Sequence, residues 1–109
     1  MPSKVVNLDE HRDKGVRVFS GRGRGEIVRD NVRLESLEKE FERISIYVPE
    51  DVFVLTSSFF LGMFDLCIRR LGEAGFRAKY EFTGKDIARI VDESIVEALK
   101  DGSPLPERA

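Results

Sequence analysis

The sequence predicts an α/β domain, a small sheet of three to five strands packed against helices. Three observations carry that prediction. Short apolar or alternating runs suited to strands lie near Val16, Ile44 and Tyr80. Segments with apolar residues at three- and four-residue steps separate and follow them, and Gly, Pro and hydroxyl residues punctuate the boundaries.

With 109 residues and 41% apolar content, the chain has material for one modest core. One domain is expected over residues 16–102, with residues 1–15 as a flexible arm or edge strand and 103–109 as a tail. In the arm, Val5, Val6 and Leu8 are the residues able to pair as an edge strand. Val16, Arg17 and Val18 alternate and lead to Phe19, which predicts a half-buried strand ending at Ser20 and Gly21. The next five residues, Gly21-Arg22-Gly23-Arg24-Gly25, predict an exposed basic loop, because three glycines oppose regular structure. Across residues 26–43 the spacing of Leu34, Leu37 and Phe41 predicts one amphipathic helix or two short ones, with Glu35 and Lys39 as a helical ion pair. Ile44, Ile46 and Val48 then share one strand face, and Pro49 ends the strand.

Thr56, Ser57 and Ser58 form a hydroxyl cluster of the kind that caps helices, so a helix is predicted from Ser57 to about Leu71, with Gly72 and Gly75 as stop signals. Residues 77–82 read as a strand with Ala78, Tyr80 and Phe82 on one face. Thr83-Gly84-Lys85-Asp86 matches a capping box ahead of Ile87, Ile90, Val91, Ile95 and Leu99, the clearest amphipathic helix in the chain. The helix from Ser57 is unusual. Its polar positions Ser58, Gly62, Asp65 and Arg69 form a narrow stripe, and apolar residues fill an arc of roughly 220°, more than one sheet covers. Two readings stand: burial beneath another helix or the N-terminal arm, or a partner or dimer face built on Phe59, Gly62, Met63 and Leu66.

Residues 44–75, ISIYVPEDVFVLTSSFFLGMFDLCIRRLGEAG, resemble the central part of STAS domains, the fold of bacterial anti-sigma factor antagonists. In that family a core strand and short loop lead to an Asp-Ser-Ser-Gly-like turn and an apolar helix. The closer resemblance is to the divergent STAS-like group, which carries a Gly-Arg loop upstream and a Ser-Phe-Phe-Leu-Gly motif. The resemblance implies a non-enzymatic bacterial regulator or adaptor that binds a partner protein, such as an ATP-binding kinase-type protein. It also implies phosphorylation at Ser58, with Ser57 beside it. Two positions depart from the family's turn: Thr56 stands in the acidic position and Phe59 in the glycine position.

Catalytic residue types are sparse. His11 is the sole histidine and falls in the N-terminal arm, so a Ser-His-Asp or Cys-His arrangement is not expected. The lone Cys67 sits in an apolar run and reads as a small buried hydrophobe in a reducing compartment. No His/Cys cluster has metal-ligand spacing, and no metal or cofactor is expected. No run approaches the ~20 apolar residues of a membrane span, and residues 1–12 lack the apolar core of a signal peptide, so a cytoplasmic location is expected. A net charge of −2 argues against general nucleic-acid binding. The alternative reading uses local charge: Arg22, Arg24, Arg29 and Arg33 make the Gly-Arg segment basic and able to hold phosphate or RNA, although it lacks the lysine and hydroxyl of a Walker loop. A third reading is an inhibitor from a mobile element that occupies a partner's site.

Overall fold

Lys4-Val5-Val6 and Ile44-Ser45-Ile46 are β-rich runs that pair residue for residue in the computed structural model, which describes residues 3–100. Along the chain run β1 (Ser3–Asn7), a 3₁₀ turn (Leu8–His11), β2 (Val18–Phe19), α1 (Arg22–Val32) and α2 (Leu34–Glu40). There follow β3 (Arg43–Val48), β4 (Val54–Leu55), α3 (Ser57–Lys79), β5 (Tyr80–Gly84) and α4 (Ala88–Lys100). The fold is α/β. An all-parallel sheet has the order β1-β3-β5, and β2 and β4 form a separate parallel ribbon.

Ile44, Ile46 and Val48 are buried at alternate positions of the central strand, as their spacing predicts. The edge-strand alternative describes the N-terminus. Val6 lies opposite Ile46 and is buried, and Leu8 follows it into the core. The sheet thus takes in residues 3–7, outside the 16–102 boundary drawn from the sequence, because β3 needs a partner on that side. The tail at 103–109 lies outside the described residues.

Helix α3 is the hub, packing on α1, α4, β3 and β5. Phe60, Phe64 and Phe76 meet Tyr80 and Phe82 of β5, with ring centroids 5.3 Å apart for Phe64–Tyr80 and 5.0 Å for Phe76–Tyr80. Tilted and edge-on aromatic pairs of this kind add about 0.5–1.5 kcal/mol each beyond their burial.

Several expectations need correction. Residues 21–25 are not a loop: only Gly21 is a turn residue, at φ 91°, and α1 begins at Arg22. The glycine that matters is Gly25, which lies against Gly62 of α3. A Cβ on Gly25 would sit 2.1 Å from the Phe59 carbonyl oxygen, and one on Gly62 would sit 2.1 Å from that of Arg22. The two helices touch backbone to backbone, which only glycine permits. Gly72 breaks α3 at φ 76°, ψ 171°, but helix resumes to Lys79 because Phe76 must reach the aromatic cluster. Strand β5 therefore starts at Tyr80, and Ala78 is helical. The cap of α4 is Asp86, whose Oδ1 accepts the Ala88 amide at 2.9 Å. Thr83 belongs to the sheet, whose pairing extends to the Lys85 amide on the Val48 carbonyl. Glu35 lies 4.0 Å from Arg70, not with Lys39.

Candidate functional site: the paired helix starts and their ribbon

The ribbon is two residues wide and built by parity. Val18 pairs with Val54 and Phe19 with Leu55. Phe19 and Leu55 point inward, where the Phe19 ring packs 5.0 Å from that of Phe59. The opposite face, Val18 at 43% and Val54 at 37% exposure, is uncovered, so the buried side of this strand is the reverse of the Val16/Val18 face predicted from alternation. Phe53, just before β4, is 79% exposed, and its amide donates to the Arg17 carbonyl at 2.7 Å. The Thr56 amide donates to the Phe19 carbonyl at 2.9 Å and closes the ribbon at the helix start.

Because β2 and β4 are parallel neighbours, α1 and α3 start at the same end of the ribbon. Thr56 caps α3 by accepting the Phe59 amide on Oγ1 at 3.2 Å. Gly21 gives α1 no side-chain cap, and neither helix carries an acid in its first turn. Ser57 and Ser58 are exposed, and the Ser58 Oγ lies 3.3 Å from Thr56 Oγ1. An uncapped, acid-free helix start favours an anion through its free amides and the helix dipole.

The structure divides the predicted partner residues. Phe59, Gly62 and Met63 are buried under α1, so they form no surface; the first of the two readings, burial beneath another helix, describes them. Leu66 alone remains part-exposed. The sequence reading missed Phe53 and Val54 as surface residues. Their signal was a run too short to bury both faces.

The four arginines are not brought together. The Asp65 carboxylate lies 3.7 Å from both Arg22 and Arg69. Arg24 lines a cleft of about 260 Å³ with His11 and Ile27, while Arg29 and Arg33 line another of about 360 Å³ on the far part of α1.

Against α3 lies a part-buried polar cluster. Tyr80 Oη donates to Glu38, which also accepts from Arg70, and Cys67 Sγ is 3.7 Å from Tyr80 Oη. Burial, with the neighbouring Glu38 carboxylate, pushes the Cys67 thiol up to about 12, and burial raises Tyr80 as well. Cys67 is therefore a protonated thiol at neutral pH, not a nucleophile. Among the described residues no group of three His, Cys, Asp or Glu could hold a metal ion, and no helix is long and apolar enough to cross a membrane. No family model, curated protein or solved structure matches the chain.

Proposed function

We propose that the chain is a non-enzymatic regulatory or adaptor protein that docks a partner protein on the ribbon face and the adjoining Thr56–Ser58 turn, with serine phosphorylation as its switch. The observation that carries this reading is the position of Ser58, exposed at the start of the helix that directly follows β4, where Val54, with Val18 opposite and Phe53 before it, is exposed too. Docking removes those apolar side chains from water, which supplies the affinity. A phosphate on Ser58 gains from the helix dipole, yet adds about −1.5 to −2 charges beside an apolar contact and opposes docking through desolvation. The STAS-like resemblance of residues 44–75 supports the same serine and an ATP-binding regulatory partner.

The test is purification from the native host of the original chain beside Phe53→Glu, Ser58→Asp and Ser58→Ala. An ATP-binding regulatory protein is expected with the original and Ser58→Ala and is lost with the other two. Equal recovery of one protein with all four chains refutes the reading. Sedimentation of the purified chain distinguishes the remaining occupant, a second copy: a dimer that Phe53→Glu dissociates assigns the ribbon to self-association.

A further inference from the structure

Helix α1 ends in a conformation that most side chains avoid. Arg33 has φ 58° and ψ 58°, and it is the one non-glycine at positive φ among the described residues. The chain places glycine at its other positive-φ positions, Gly15, Gly21, Gly72 and Gly84. Glycine is also the residue that ordinarily closes a helix in this geometry, because it has no Cβ to clash. An arginine here therefore costs stability, and its position lines a cleft.

That cleft lies between the α1–α2 turn and α3 and encloses about 360 Å³. Arg29, Arg33 and Arg70 line it, together with Leu34, Leu66 and Cys67. Acids hold two of the three guanidiniums: Arg29 Nε donates to Asp30 at 3.2 Å, and Arg70 donates to Glu38 and lies 4.0 Å from Glu35. The side chain of Arg33 has no partner among the described residues. Each guanidinium has five N–H groups, so Arg29 and Arg70 keep donors in hand while their acids fix them in place.

We infer that this cleft binds a small phosphate monoester. The phosphate sits on Arg33 between Arg29 and Arg70, and the organic group lies against Leu34, Leu66 and Cys67. A phosphate suits the site because its three oxygens accept from more than one guanidinium fork at once, which a carboxylate does less well. The apolar lining favours an ester over the free ion. Asp30 holds Arg29, and Glu38 with Glu35 holds Arg70, so Arg33 is the guanidinium of the three that no acid among the described residues holds. The site shares no residue with the ribbon, so it stands or falls apart from the docking function.

Phenyl phosphate titrated into the ¹⁵N-labelled full chain tests this, read by amide shifts. Saturable shifts are expected at Arg33, Leu34, Leu66 and Cys67, with weaker binding of inorganic phosphate. Arg33→Ala and Arg33→Gly each weaken phenyl phosphate about tenfold or more, the size expected for lost bonds to a charged group. Arg33→Gly also keeps the fold secure, because glycine suits the backbone there. Arg89→Ala, an exposed position on α4 away from the cleft, leaves affinity unchanged. The inference is overturned if those amides do not shift, if Arg33→Gly binds with unaltered affinity, or if Arg89→Ala loses as much. Inorganic phosphate binding as tightly as phenyl phosphate overturns the ester assignment.

Discussion

The two sheets use the same kinds of residue for opposite ends. In the three-stranded sheet the apolar side chains of β3 vanish under α3 and its neighbours; in the β2–β4 ribbon one valine from each strand stays in contact with water. Both are parallel and both feed helices, so strand chemistry does not separate them. What differs is the outer face. Both strands alternate, but β3 sets Ser45 and Tyr47 opposite its buried side chains, whereas the ribbon sets Val18 and Val54 there, in contact with water.

The sharpest break between the two regions is a deletion in each. Ile46→Ala, at the centre of β3, is expected to cost about 2–5 kcal/mol in chemical denaturation, the range for large-to-small core changes. Next in size is Gly25→Ala, which pushes a methyl group onto the Phe59 carbonyl and forces α1 from α3. Overpacking of this sort costs about 1–3 kcal/mol, and a smaller loss would mean that the helices can slide apart freely. Thr56→Ala removes the α3 cap at the end of the ribbon and is expected to cost about 1 kcal/mol. Val54→Ser, on the ribbon's outer face, should stay within about 0.5 kcal/mol of the original. A loss approaching that of Ile46→Ala would show that the ribbon face is core after all.

The smallest effect is nil at pH 7 and appears only in alkali. Cys67 is protonated in the folded state up to about 12, and an unfolded cysteine ionises near its ordinary value of about 8.5. Below the unfolded value both states hold the proton, so the thiol adds no pH dependence. Above it the unfolded state gains by ionising, and stability falls as pH rises toward the folded value. Denaturation midpoints measured from pH 7 to 11 should fall less steeply in Cys67→Ala.

Much of this architecture was legible in the residues, because β3, α4 and the start of α3 are marked by local signals: alternation, helical spacing and a hydroxyl cap. The departures arise where distant contacts decide. Gly25 reads as a loop residue until Gly62 is set against it, and no local pattern links positions so far apart in sequence. Phe59 and Met63 look like a surface because their arc exceeds what one sheet covers; α1 supplies the missing cover. In β2 two residues are too few for alternation to reveal which face is inward, and the packing of Phe19 on Phe59 settles it. At the candidate site, the helix start at Ser57 was legible from its hydroxyl cluster. The exposed ribbon and the Arg33 cleft depend on packing and a backbone angle that residue types alone do not encode.

Parallel pairing imposes an order of events on synthesis. β1 leaves the ribosome before β3, its one partner among the described strands, with Lys4 opposite Ile44. At typical elongation rates that partner follows on the order of seconds later. Throughout that delay Val6 and Leu8 have no sheet to enter, and β3 in turn awaits β5. Loop closure must precede any gain from these pairings, which slows folding relative to a hairpin-built sheet of equal size. Until Tyr80 emerges, β3 has only one of its two neighbours, and its free edge stays open to pairing with other chains.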